Sequence, residues 1–382
     1  MGSANKKKLA LVLTGGGARA AYQVGVLRAI SEITGFEKNP FAIISGFSAG
    51  ALNGVWLASQ SENFDSVTKN MVDTWSSLTA DHIFKVGPVS LGRIAYRWIF
   101  DRSAGGLKSG KNQITYLLDT APLAEFIKNK INFNALNENI QNDLFHAISV
   151  NATDYRSGQS VAFYNGHTDI QDWTKLNRKS FRTVISAEHV LASSAIPIFF
   201  PPVRIGTSYF GDGVVRLNSP LSSAIHLGAE KLLVIGNRRP SFIEQPPRTT
   251  GDGITLGEIV GTILSGLFLD SLDGDLERIA RINRGIAAMT AEAKATQPDG
   301  LREVPILSLA PQNELARAPA GELARMPTTF SYLLRGIGVS ESKGSDLLSY
   351  LAFEPKYLGT LIQSGYEDTL ERKSEILEFF EI

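Results

Sequence analysis

Leu9 to Leu13 form an unbroken apolar run that ends abruptly in Thr14-Gly15-Gly16-Gly17. An apolar stretch of that length between breakers predicts a strand buried on both faces. After the glycines, Tyr22, Val26, Ile30 and Ile33 recur at helical spacing, with Ala29 beside them. Arg19, Gln23, Arg28 and Glu32 fall on the opposite side, predicting an amphipathic helix with a polar outer face. The chain therefore opens as strand, glycine turn and helix.

The unit recurs in kind. Phe41 to Ser45 predicts a second buried strand, Gly46 to Gly50 a tight turn, and Ala51 to Ala58 a helix, with a further helix over Asp65 to Leu78. Strands are expected near Leu144 to Asn151, Ser160 to Tyr164, Ser208 to Phe210 and Lys231 to Ile235, and helices over Ala187 to Ser194 and Pro220 to Leu227. This alternation predicts an α/β fold with a mainly parallel central sheet and helices on both faces. Residues 81–116, rich in glycine, aromatics and arginine, read as an inserted, lid-like segment. Pro240 to Asp252, with Pro246-Pro247, reads as a linker or surface loop. Beyond it the pattern is mostly helical, with one short strand candidate at Val304 to Leu309. The expected organisation is a catalytic domain over 8–240 and a helical C-terminal region over 241–382.

Thirty-eight basic residues balance 38 acidic ones, so no charge excess points to nucleic acid. Lys6-Lys7-Lys8 is the longest basic run and reads as the flank of the first strand. Cysteine is absent, which excludes disulfides, thiolate metal sites and a cysteine nucleophile. The basic start lacks a separate apolar segment, so no signal peptide is expected. No apolar run is long enough to span a bilayer, and the expected location is cytoplasmic, with peripheral membrane contact open. Ile259 to Leu269 is the longest nearly apolar run. It reads as an interfacial helix or as a buried one; burial is expected, because its apolar residues are not confined to one face.

Three short features carry chemistry. Gly46-Phe47-Ser48-Ala49-Gly50 is Gly-x-Ser-x-Gly between a strand and a helix. A nucleophilic serine must project from a sharp strand-to-helix turn, and glycine is needed where the flanking backbones close on each other. The same five residues also suit an ordinary turn with Ser48 as N-cap. Gly15-Gly16-Gly17-Ala18-Arg19 exposes backbone N–H groups at a helix start, a geometry that holds a phosphate or a developing oxyanion. A dinucleotide fingerprint would need glycine where Ala20 stands, and no Gly-Lys-Ser/Thr follows, so a nucleotide P-loop is excluded. Paired with a nucleophile turn after the next strand, the loop reads best as an oxyanion hole. Gly211-Asp212-Gly213 reads alone as a plain turn. The five histidines are His82, His146, His167, His189 and His226, and none stands where a serine triad needs one; His226 falls inside a helical stretch. A carboxylate within hydrogen-bond reach can serve as base instead.

In this order, Thr14 to Arg19, Gly46 to Gly50, Ala192-Ser193-Ser194-Ala195-Ile196-Pro197 and Gly211-Asp212-Gly213 resemble the patatin-like phospholipase family, over residues 8 to 236. The resemblance implies a Ser-Asp dyad, with Ser48 matching the nucleophile and Asp212 the general base. It matches Gly16 and Gly17 to the oxyanion-hole glycines, within a loop taken as Gly15 to Arg19. Arg19 matches the basic residue of the motif, holding either the loop or an anionic group of the substrate. Val214 follows Gly213 where the family has Gly or Ala, and Ala20 ends the loop where the family has Gly. The implied activity is phospholipase or lysophospholipase-type ester hydrolysis through an acyl-enzyme, without metal or cofactor and on an acyl-lipid substrate. Acyl transfer on the same scaffold and a silent lipid-binding module are the alternatives. Candidate walls for an acyl groove are Ile83, Phe84, Leu91, Ile94, Tyr96, Trp98, Ile99 and Phe100, and the Ile196 to Pro202 stretch; core packing is the plainer reading of most of them.

Overall fold

The structure is a computed structural model. It describes residues 8–85, 116–237, 253–296, 301–312, 321–340 and 344–382. Most of the inserted segment, with Leu91, Ile94, Tyr96, Trp98, Ile99 and Phe100, lies outside the described residues, as does the whole of Pro240 to Asp252.

One ten-stranded sheet organises the described residues. Its strands are β1 (Leu9–Leu13), β2 (Ile43–Phe47), β3 (Ala147–Asp154), β4 (Gln159–Gly166), β5 (Thr174–Lys175), β6 (Arg178–Arg182), β7 (Val203–Ile205), β8 (Ser208–Asp212), β9 (Lys231–Ile235) and β10 (Ile306–Leu309). The order is β10-β9-β1-β2-β3-β4-β6-β5, with β8 also on β3 and β7 on β8. The run from β10 through β3 is parallel throughout. β4 and β8 both join β3 antiparallel, so the sheet is mixed with a mainly parallel core. The weak strands β5 to β7 carry little apolar pattern, since they lie at the margins and expose much of their length.

The apolar runs follow from burial on both faces. Leu11, Leu13 and Ile44 belong to one core, while Ala10, Val12 and Ile43 belong to another on the opposite side. Helices cover the first face: α1 (Ala21–Thr34), α2 (Ala49–Ser59), α3 (Phe64–Ser76) and α4 (Ala187–Ser193) all contribute buried residues to it. The polar side expected for α1 faces outward only in its later turns: Glu32 is exposed and Arg28 partly exposed, while Gln23, and Arg19 just before the helix, are buried. Gln23 turns inward to Asn53 of α2, its side-chain oxygen accepting from Asn53 Nδ2 at 3.0 Å.

Residues beyond 253 add α5 (Leu256–Ser265), α6 (Ser345–Leu351) and α7 (Pro355–Glu371). α7 lies along α1 with the two backbones in direct contact, Gly25 facing the Ile362 carbonyl and Gly365 the Tyr22 carbonyl. β10 extends the same sheet at β9. The expected burial of Ile259 to Leu269 holds for Gly261 and Leu264 but not for Ile259, 47% exposed, or Ile263, 56% exposed. α5 turns its glycines inward, Gly261 against Leu347 of α6, and leaves Ile259 and Ile263 outside. No helix among the described residues is long and apolar enough to cross a membrane.

Candidate active site

The site forms where β2 stops. Phe47 pairs with Asn151 on β3, and the next β3 residue, Ala152, pairs with Asp212 on β8. β2 and β8 thus share one edge of β3, end to end, and Ser48 leaves β2 beside Asp212. Gly213 lies against the Asn151 carbonyl and Phe47 Cβ. Thr153 Oγ1 donates to the Asp212 carbonyl at 2.8 Å, and the Asp212 amide donates to the Ala195 carbonyl at 3.0 Å. Gly211 sits under the ring of Tyr155.

Ser48 has φ 55° and ψ −137°, a conformation that is strained for any residue with a Cβ. Packing imposes it. A Cβ on Gly50 would stand 2.3 Å from the Leu13 carbonyl oxygen, so the first turn of α2 presses directly on the end of β1. The Ser48 amide donates to Ser193 Oγ at 2.9 Å, and Ser193 Oγ donates to the Asn151 carbonyl at 2.6 Å. Ala49 begins α2, and Gly46 closes the turn from β2, its carbonyl accepting from Asn151 Nδ2 at 3.1 Å.

Ser48 is 1% exposed and Asp212 0%. Burial drives the Asp212 pKa up to about 7, against the downward pull of the Val214 amide and the Ser48 hydroxyl. Val214 N–H donates to Asp212 Oδ1 at 3.0 Å. Oδ2 is buried with no hydrogen-bond partner among the described residues. Burial, and then the Asp212 charge, push the neighbouring Tyr155 phenol up to about 12.

The glycine loop lies one strand away, at the end of β1. Gly17 to Ala20 form a single 3-10 turn with Gly16 as its N-cap. The first amides of such a turn have no partner within it, so Gly16, Gly17 and Ala18 are the N–H donors that the turn presents. Arg19 is not a further donor: its amide closes on the Gly16 carbonyl at 3.1 Å. Asn237 Nδ2 donates to the Gly15 carbonyl at 2.7 Å, and Gln23 Nε2 to the Thr14 carbonyl at 2.7 Å. Gln23 is in turn held by Asn53, and Asn53 by the Trp75 indole at 3.0 Å. The side chain of Arg19, 2% exposed, points away from the turn toward Ser349 and Tyr350 of α6.

The residues that sequence patterns missed are Asn151, Tyr155, Ser193 and Asn237. Only Ser193 lay inside a quoted motif. The five histidines are engaged elsewhere: His82 Nδ1 accepts from the Thr79 amide, His189 Nδ1 from the Ser186 amide, His226 stacks on Trp173, and His146 and His167 stack on each other. His146, His167 and Asp169 offer three ligand atoms within 4.8 Å of one another. Lys8 Nζ stands 3.3 Å from His146 Nε2 and 3.9 Å from Asp169, so a side-chain ammonium already takes the position of a cation there.

A family model described as patatin-like phospholipase matches residues 11–225, more than half of the chain. No curated protein matches the chain in sequence. Among solved structures, VipD from Legionella pneumophila is 14% identical, with 98% of this chain and 68% of that one covered and a TM-score of 0.36. Human GIVD cytosolic phospholipase A2 is 10% identical, with 98% and 60% covered and a TM-score of 0.47. The chain thus spans about three fifths of the length of the human protein.

Proposed function

The chain belongs to the patatin-like phospholipase family, and on that premise we propose that it hydrolyses carboxylic esters of lipids with Ser48 as nucleophile and Asp212 as general base. The observation that carries the proposal is the shared edge of β3, which sets Ser48 at the end of β2 beside Asp212 at the end of β8. Asp212 takes the Ser48 proton as Ser48 Oγ attacks the ester carbonyl. A carboxylate with a pKa of about 7 is ionised in a large fraction at neutral pH yet basic enough to accept that proton. Asp212 Oδ2 is buried without a hydrogen-bond partner among the described residues, and a Ser48–Asp212 bond that closes as substrate binds fits this. The tetrahedral oxyanion falls to the amides of Gly16, Gly17 and Ala18. One such donor contributes about 3 kcal/mol to lowering the barrier. The alcohol leaves with the proton from Asp212, and water, activated by the same carboxylate, releases the fatty acid from the Ser48 ester. No step calls on a histidine, in keeping with the engagement of all five elsewhere.

Lipid esters are presented at surfaces, and the outer face of α5 supports peripheral contact with one. Leu256, Ile259 and Ile263 are exposed there together, an arrangement that favours an apolar or interfacial environment.

The test is a lipid-class hydrolysis screen comparing wild type with Ser48→Ala. The proposal expects free fatty acid from at least one phospholipid or lysophospholipid with wild type and none above background with Ser48→Ala. Equal release by both proteins would refute it.

A further inference from the structure

Arg19 is a charged side chain buried beside the glycine loop, and its surroundings come from the other end of the chain. Nε and Nη2 both donate to Ser349 Oγ, at 2.8 and 2.6 Å. Nη1 donates to the Tyr350 hydroxyl at 3.3 Å, and the guanidinium carbon lies 4.1 Å from the centre of the Tyr350 ring. Asp346 supplies a counter-charge, its carboxylate 3.9 Å from Nη2. Ser349 Oγ is itself fixed, donating to the Asp346 carbonyl at 2.6 Å. A planar fork held on its edge by a hydroxyl and on its face by a ring has little freedom to turn.

α6 touches the loop at a second point. The Tyr350 carbonyl oxygen lies 2.2 Å from where a Cβ on Gly17 would stand, and Gly17 has φ +55°. Only glycine fits both the conformation and the approach. Gly17 and Arg19 bracket Ala18, so the segment carrying the N–H donors is gripped on both sides by one short helix. Tyr350 OH also reaches Ser265 Oγ of α5 at 3.4 Å, which ties the grip to the C-terminal helices.

We propose that Ser349 and Tyr350 are positioning residues for the glycine loop, acting through Arg19 and Gly17, and that α6 is therefore a working part of the catalytic unit. The inference rests on the reading of this loop as the oxyanion hole. Of the two roles open to Arg19, holding the loop or binding an anionic group of the substrate, it selects the first, because the guanidinium is 2% exposed and its edge and face are already covered. An oxyanion hole acts on the transition state more than on the bound ester, so a loosened loop lowers kcat and leaves KM nearly unchanged.

The experiment measures kcat and KM on p-nitrophenyl butyrate for wild type, Ser349→Ala, Ser349→Thr, Tyr350→Phe and Ser48→Ala, with thermal unfolding of each. Complete loss of a single oxyanion donor lowers kcat by about 100- to 1,000-fold. Ser349→Ala only displaces the donors, so the expected fall is about 10- to 100-fold, with KM within about threefold of wild type. Ser349→Thr keeps the hydroxyl and recovers most of the loss; Tyr350→Phe keeps the ring and falls between. If Ser349→Ala does not fold, the threonine and phenylalanine variants carry the test, and wild-type kcat in Tyr350→Phe together with failure of Ser349→Thr to exceed background overturns the inference. Where Ser349→Ala folds, wild-type kcat in it, or a loss that follows KM, overturns the inference while an inactive Ser48→Ala leaves the serine mechanism standing. Activity retained in Ser48→Ala overturns the mechanism itself.

Discussion

Ser193 holds Ser48 from behind: its hydroxyl accepts the Ser48 amide at 2.9 Å and donates to the Asn151 carbonyl at 2.6 Å. The strained turn at Ser48 is thereby tied to β3, the strand that also carries Asp212 on β8. Ser193→Ala leaves a buried N–H and a buried C=O without this partner, and each such loss costs about 1–3 kcal/mol. The expected outcome is a lower denaturant midpoint at unchanged m-value, with kcat reduced more than KM. An unchanged midpoint would show that the hydroxyl contributes nothing to the turn.

The pH dependence of activity follows from Asp212. Its pKa of about 7 means that the base is protonated below neutrality. kcat/KM on a soluble ester is expected to rise about tenfold per pH unit up to about pH 7 and to level off above it. A profile flat from pH 5 to 9 would exclude Asp212 as the base.

Stability runs the other way. A free aspartate titrates near pH 4, and in the fold Asp212 holds its proton to about pH 7. Between those values the native state binds a proton that the unfolded chain has released. The contribution of this group is therefore complete below about pH 4 and is lost as pH rises through about 7, on the order of 4 kcal/mol in all. Asp212→Asn removes that loss, and its Oδ1 can still accept from Val214. It is expected to abolish esterase activity yet raise the unfolding midpoint, by an increment that grows from pH 4 to pH 8. A midpoint below wild type at pH 8 would contradict this.

Much of this arrangement was legible in local sequence, and the rest was not, for identifiable reasons. β1 and β9 were visible because strands buried on both faces need uninterrupted apolar runs, and the turns after β1 and β2 because close backbone contacts demand glycine at fixed offsets. Ser193, Asn151 and Asn237 left no such trace. Each acts through hydrogen bonds to residues far along the chain, 145 positions away for Ser48 and Ser193. Arg19 and Gln23 looked like solvent-facing residues because helical spacing does not reveal that α6 returns to cover Arg19 or that Asn53 of α2 pairs with Gln23. Ile259 and Ile263 erred in the opposite sense: α5 buries its glycines, a choice that hydropathy cannot anticipate.

Gly50 offers a steric check on the turn itself. Gly50→Ala forces a methyl group toward the Leu13 carbonyl oxygen, where an ideal Cβ would stand only 2.3 Å away. Backbone must move, at a cost of about 1–3 kcal/mol, and Ser48 moves with it. The variant is expected to unfold at lower denaturant and to lose nearly all activity. Wild-type activity in a folded Gly50→Ala protein would mean that the turn tolerates displacement.

The outer face of α5 is tested by Ile259→Asp combined with Ile263→Asp. Because both residues are exposed, stability is expected to change by no more than about 0.5 kcal/mol per site, and turnover of a soluble ester to stay at the wild-type level. Sedimentation with phosphatidylcholine vesicles is expected to fall. Unchanged sedimentation would remove α5 from any lipid contact.

The most direct test of the Ser48–Asp212 mechanism is covalent. Wild type, Ser48→Ala and Asp212→Asn are incubated with an acyl-chain fluorophosphonate, and the adduct is located by peptide mass spectrometry. The mechanism predicts one adduct, on Ser48, fast in wild type, absent in Ser48→Ala and strongly slowed in Asp212→Asn. An adduct on another residue, or an unlabelled Ser48 in protein that still releases fatty acid, would contradict it.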